Sequence, residues 1–165
     1  MGAYDVRAVA NEVLLEARRK NIAVTHLSLQ KLCFFVHGLY LANHRRELVD
    51  GEFEAWKFGP VHRVLFHALQ RNRDKSIEEL ISRVDPISGG KKGLLRVSSS
   101  EDQSFIGETA SFFLNFTAGQ LVELSHASGS PWHEVWEASK TSPNIGMKIP
   151  NRIVREFYER SRLSN

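Results

Sequence analysis

Between Leu29 and Tyr40 one helical face carries Leu29, Leu32, Cys33, Val36, Leu39 and Tyr40, and Phe34 and Phe35 extend the apolar surface around the other side. A helix with so little polar surface has to be enclosed by the rest of the chain. This segment therefore predicts a helix running through the middle of a core, with Thr25 or Ser28 placed to cap its start. No apolar run reaches the ~18 residues needed to cross a bilayer, so the enclosure has to be built from protein. A chain of 165 residues can supply it, since at this length folding buries roughly 70% of the surface of the unfolded form.

The remaining pattern is mostly helical. Val6, Val9, Ala10, Val13, Leu14 and Ala17 recur at helical spacing over residues 4–20, and Arg18, Arg19 and Lys20 suit the negative end of the helix dipole. After the central helix the period changes. Leu48-Val49 and Glu52 to Trp56 read as short extended pieces around an Asp50-Gly51 turn, which predicts a small β-hairpin near residues 47–58. Pro60 is then expected to open a helix carrying Val61, Val64, Leu65 and Leu69. Ser76 with Glu79 predicts a capped short helix through Val84, followed by a flexible connection from Ile87 to Ser100 with a short strand at Leu94 to Val97. Further capping pairs, Ser100 with Gln103 and Thr117 with Gln120, open two more helices. Ser130-Pro131 opens another, and after a connection from Thr141 to Pro150, Asn151 caps the last. The expectation is a mainly α, compact multi-helix domain spanning residues 1–165, without repeats or an internal linker.

Motifs for chemistry are sparse. His62 and His67 are five residues apart and do not share a helix face, and there is no His-Glu-x-x-His pattern or phosphate-binding glycine loop. The sole cysteine, Cys33, lies among apolar neighbours that keep a thiol protonated and inert. These patterns predict neither a cofactor nor a metal and give no argument for an enzyme. A hydrolase built on His126 and Glu134 is the weakest alternative. The net charge of +3 is spread over small basic clusters separated by acidic residues. A nucleic-acid-binding regulator is the first alternative, but it would favour a concentrated basic stripe, so nucleic acid is not the expected partner. The N-terminus lacks the basic-then-apolar pattern of a secretory leader, and the expected location is the cytoplasm.

Three blocks carry a family resemblance. The first is Leu29-Gln30-Lys31-Leu32 with Phe34-Phe35 and Tyr40-Leu41-Ala42; the second is Leu48-Val49-Asp50 followed by Glu54-Ala55-Trp56-Lys57-Phe58-Gly59-Pro60-Val61. The third is Leu121-Val122-Glu123-Leu124-Ser125-His126 with Ser130-Pro131-Trp132. In this order they resemble the Panacea antitoxin domain, also described as SocA-like or phage-associated GepA-like. The resemblance implies a mostly helical antitoxin that neutralises a protein toxin encoded by an adjacent gene. It implies action by direct contact, and in at least one member by delivering the toxin to a protease. Relatives with a fused helix-turn-helix bind DNA, but this chain has no room for one beyond the shared domain.

The motif residues Trp56, Lys57, Phe58, Gly59 and Pro60, with His126 and Trp132, are the candidate partner-binding set. Two roles compete for them. Trp56 packs on the central helix while Gly59 and Pro60 shape the turn, or Trp56, Lys57 and Phe58 form a groove rim where aromatics and cations anchor a partner. His126 likewise either satisfies backbone groups between two helices or faces a partner.

Overall fold

A computed structural model of the chain describes residues 2–141 and 147–164. Seven α-helices are formed among these residues: α1 (Val6–Arg19), α2 (His26–His44), α3 (Arg63–Leu69), α4 (Ser100–Phe113), α5 (Ala118–Ser125), α6 (Pro131–Thr141) and α7 (Asn151–Leu163). Two antiparallel hairpins accompany them, β1 (Glu54–Trp56) with β2 (Gly59–Val61) and β3 (Ser82–Val84) with β4 (Lys91–Leu94). The fold is mainly α and compact, as expected.

α2 is the axis. Leu29, Leu32, Cys33, Phe34, Phe35, Val36, Tyr40 and Leu41 are all buried, and α1, α3, α4, α5, α7 and β2 pack around them. Thr25 caps α2, its side chain accepting the Ser28 N–H. At the far end Arg45 takes a left-handed conformation (φ 53°) and its N–H returns to the Leu41 carbonyl.

Because α2 is enclosed, its buried polar side chains need partners inside, and four of them hold covering segments. Gln30 exchanges two bonds with the backbone of His62: its Oε1 accepts the N–H at 2.8 Å and its Nε2 donates to the carbonyl at 3.3 Å. Lys31 Nζ donates to the Pro60 carbonyl at 3.0 Å. His37 Nδ1 accepts the Val49 N–H at 3.2 Å, which leaves Nε2–H to donate to Asn151 Oδ1 at 2.9 Å. Tyr40 donates to the buried Asp102 at 2.8 Å, and Tyr4 donates to the same carboxylate at 2.7 Å.

Several local expectations are corrected. The first hairpin turns at Lys57-Phe58, with Trp56 opposite Gly59, instead of at Asp50-Gly51. Leu48 and Asp50 are bound to Tyr4, which makes a parallel bridge with Val49. Pro60 lies in β2 and does not start a helix. It sits opposite Ala55, whose N–H goes to the Met147 carbonyl on the other side of β1, so the hairpin needs no donor from the proline. The helix expected over 76–84 is extended instead. Ile77 N–H bonds to Val24 O, and buried Asn11 on α1 takes the Ile81 N–H and donates to the carbonyls of Ile81 and Leu95. Those bonds replace the i to i−4 ladder with partners far along the chain. The strand expected at Leu94 to Val97 falls earlier, at Lys91–Leu94, and Leu95 and Val97 enter the core. The cap of α4 is Ser99 and not Ser100. Asn151 begins α7 after Pro150, and its side chain serves His37 and Glu47 in place of capping. Thr117 and Gln120 form the expected capping box. In the connection expected from Thr141 to Pro150, residues 142–146 lie outside the described residues.

α7 lies against α2 where Gly38 faces the ring of Tyr158, and a Cβ at Gly38 would overlap that ring. Replacing Gly38 by Ala adds about 0.5–1 kcal/mol of helix propensity but overpacks a closed contact, at a cost of about 1–3 kcal/mol. The Gly38→Ala protein is expected to unfold at lower urea concentration than the wild type. An unchanged or higher midpoint would contradict the close packing of α2 on α7.

Candidate functional site

The seven candidate residues come together where β1, β2, α5 and α6 meet the N-terminal half of α2. The start of α6 sets the arrangement. Ser130 Oγ donates to the Ser125 carbonyl at 2.9 Å and accepts the His133 N–H at 3.2 Å, tying the end of α5 to the first turn of α6. Trp132 is buried beyond it, and its indole N–H donates to the Trp56 carbonyl at 2.7 Å. The His126 ring stacks on Trp132 at 3.7 Å between centroids and 9° between planes, with Trp136 stacked on the far side at 5.2 Å. Burial pushes the His126 imidazole below its ordinary pKa, with the nearby Lys31 charge adding to the effect.

Gly59 explains its own identity. Its φ of 105° is left-handed, and an added Cβ would lie 2.6 Å from both Lys31 Cε and Ser125 Oγ. The turn thus closes onto Lys31 from above while Pro60 offers its carbonyl to the ammonium. Trp56 is half-buried, with its ring 4.9 Å from Phe66 and the Arg63 guanidinium 5.9 Å from it. Arg63 is fixed in turn by a two-pronged pair with buried Glu54, at 2.8 and 3.0 Å. Trp132, Gly59 and Pro60 are thus buried in the framework around the turn and His126 lies stacked on it, whereas Lys57 and Phe58 at the turn are the exposed pair, Phe58 being 59% exposed.

Beneath this turn is an apolar cavity of about 250 Å³. One wall is α2, through His26, Leu27, Gln30 and Lys31; another is the hairpin, through Trp56, Lys57, Phe58 and Val61; Phe66 and Arg73 complete the lining. Leu27, Phe66, Arg73 and Lys31 were absent from the sequence-derived set. Lys31 had a visible sign, as a charged residue inside a helix otherwise apolar on nearly all sides. Leu27 and Arg73 had none.

Lys31 is fully buried with one hydrogen bond, and burial pushes its ammonium down to about 7. His26 is lowered by burial and by the Lys31 charge, His62 by burial, and His37 is pushed down to about 4, also by burial. These histidines are neutral near pH 7. His37 has to be, since its Nδ1 accepts a backbone N–H.

The arrangement does not favour hydrolysis at His126 and Glu134. His126 is committed to the stack, Glu134 is exposed on α6, and neither lines the cavity. No group of metal-ligating side chains occurs among the described residues, and none of their helices is long and apolar enough to cross a membrane. Many basic side chains face carboxylates, including Arg7 with Asp5, Arg96 with Glu12, Lys91 with Glu79 and Arg152 with Glu156. That interleaving matches the scattered charge of the sequence.

The exposed aromatic turn thus overhangs an apolar cavity on a small helical domain. Comparison with known proteins names the class: residues 29–133 match the family model of the antitoxin SocA-like Panacea domain. The chain is also similar to Antitoxin SocA of Caulobacter vibrioides (strain NA1000 / CB15N), 36% identical across 98% of this chain and 86% of that protein. No solved structure matches it. The chain belongs to the SocA-like Panacea antitoxin family.

Two pH effects follow. The unfolded chain takes up protons on its histidines below about pH 6.5, whereas folded His37 resists until about pH 4. Stability is therefore lost as pH falls through that window, by about 1.4 kcal/mol per pH unit for each proton taken up on unfolding. Replacing His37 by Gln should flatten the slope of unfolding free energy between pH 6.5 and 4. Lys31 has the same sign in another range: the unfolded chain holds the proton up to about 10.5 and the folded chain releases it near 7. The wild type should gain stability relative to Lys31→Met between pH 7 and 8.5, again by about 1.4 kcal/mol per unit. A pH-independent difference between the two would show that Lys31 keeps its proton.

Proposed function

We propose that this chain neutralises a cognate protein toxin, encoded by an adjacent gene, by direct contact through the turn at Lys57-Phe58 and the cavity beneath it. The carrying observation is the exposed apolar surface there: Phe58 at 59% and Leu27 at 39% border a cavity whose walls are held by buried hydrogen bonds. Exposed apolar side chains gathered around a cavity at a rigid site offer a partner the anchoring contacts that interfaces use. The family supports an antitoxin role, and the relative's name says that it is an antitoxin.

Within this reading the motif residues divide their work. Trp132 and Lys31 hold the backbone of the turn from two sides by bonding the carbonyls of Trp56 and Pro60. Gly59 lets the turn close. Lys57 and Phe58 are left to face the partner. A turn held this way loses little freedom on binding, which favours affinity.

Co-expression tests the reading. The adjacent gene expressed alone should arrest growth, this chain should restore it, and the two products should co-purify. Phe58→Ala should weaken the complex by roughly tenfold or more, the effect of removing an anchoring aromatic side chain. A harmless neighbour, or one that does not co-purify, would remove the toxin reading. Toxin half-life separates two modes of neutralisation. A stable toxin in the presence of the chain indicates sequestration, and a half-life shortened only when the chain is present indicates delivery to a protease.

A further inference from the structure

The electrostatics of the cavity say more about its occupant than its shape does. Its lining includes Lys31, Lys57 and Arg73 and no carboxylate. By contrast Arg63, the first residue of α3, is bound to Glu54. At the mouth, Lys57 and Arg73 are exposed, and Lys57 Nζ lies 5.4 Å from the Phe58 ring. Neither cation forms a salt bridge among the described residues.

Arg73 adds an independent observation. Its backbone sits at φ 53° and ψ −120°, following the 3-10 turn Gln70–Asn72. This conformation costs a residue other than glycine on the order of 1–3 kcal/mol, and such strain concentrates at ligand clamps. Here it falls on a residue that lines the cavity.

We propose that the cavity under the 56–61 hairpin seats an apolar side chain of an acidic partner segment, with the flanking carboxylates of that segment meeting Lys57 and Arg73. Leu27, Phe58 and Phe66 receive the apolar group. A basic segment would meet repulsion at Lys57 and Arg73. A purely apolar segment would leave both rim cations without partners. This assignment rests on the toxin-binding reading and specifies which chemistry the toxin presents.

The test uses the full chain and blocked tripeptides as probes: acetyl-Glu-Phe-Glu-amide, its Lys-Phe-Lys counterpart, and acetyl-Glu-Ala-Glu-amide. Nitrogen-15 correlation spectra follow the indole of Trp56 and the amides of Phe58 and Arg73. The acidic phenylalanine peptide should give saturable shifts at these residues, with the other two at least about tenfold weaker. The Lys57→Glu, Arg73→Glu double variant, altered only at exposed positions, should reverse the preference between acidic and basic peptides. No shift at Trp56 with the acidic peptide, or equal binding of the basic one, would overturn the assignment.

Retention of the adjacent-gene product separates this inference from the broader one. If the double variant retains that product as well as the wild type does, the acidic-segment assignment falls and the toxin reading stands. If the acidic peptide binds as described but the product is not retained, the cavity assignment stands and the toxin reading falls.

Discussion

Enclosure of α2 is the constraint from which the rest of the molecule follows. A helix buried on nearly every side supplies the apolar core, but it also carries Gln30, Lys31, His37 and Tyr40 inside, where an unsatisfied polar group costs about 1–3 kcal/mol. Each of these side chains is therefore tied to backbone or to a side chain of another segment. Gln30 and Lys31 hold the hairpin and the entry to α3, His37 holds the Val49 segment and the start of α7, and Tyr40 holds the start of α4. The polar residues of α2 thus specify where its covering elements sit, while its apolar residues supply the drive to cover it.

The Lys57-Phe58 turn inherits this order. The Lys57-Phe58 turn is short and exposed, which would leave an isolated hairpin marginal in water. Here Lys31 holds its second strand, the indole of Trp132 holds the end of the first, and Met147 and Ile149 pair along the outer side of that strand. A turn pinned from three directions can keep an aromatic side chain exposed without collapsing onto it. The same architecture accounts for the Trp-Lys-Phe-Gly-Pro run: Trp56, Gly59 and Pro60 are packed or paired, and the turn pair Lys57-Phe58 stays exposed.

What the sequence showed and what it hid follow from the range of the interactions. α1, α2, α5 and α6 were legible because their determinants are local, namely helical periodicity, the Thr25 and Thr117 caps, and the Ser130-Pro131 start. The stretch from Ser76 to Val97 was not, since its extended form depends on Asn11 and Val24, which lie more than fifty residues earlier. The same applies to Pro60, which looks like a helix start until Lys31 and the 147–149 segment place it in a strand. At the candidate site, the motif residues lie around the cavity, but the motif did not reveal it. Lys31, Leu27, Phe66 and Arg73 come from three separate segments, and only the folded chain brings them around one cavity.

Native-state hydrogen exchange tests the role of α2 most directly. If its buried side chains hold the covering segments, the amides of Val49 and His62, which donate to His37 and Gln30, exchange only through global unfolding, with the same free energy as the central amides of α2. Exchange of Val49 and His62 through local opening, several kcal/mol below the α2 amides, would show that these segments come away while α2 stays folded, and would contradict the account.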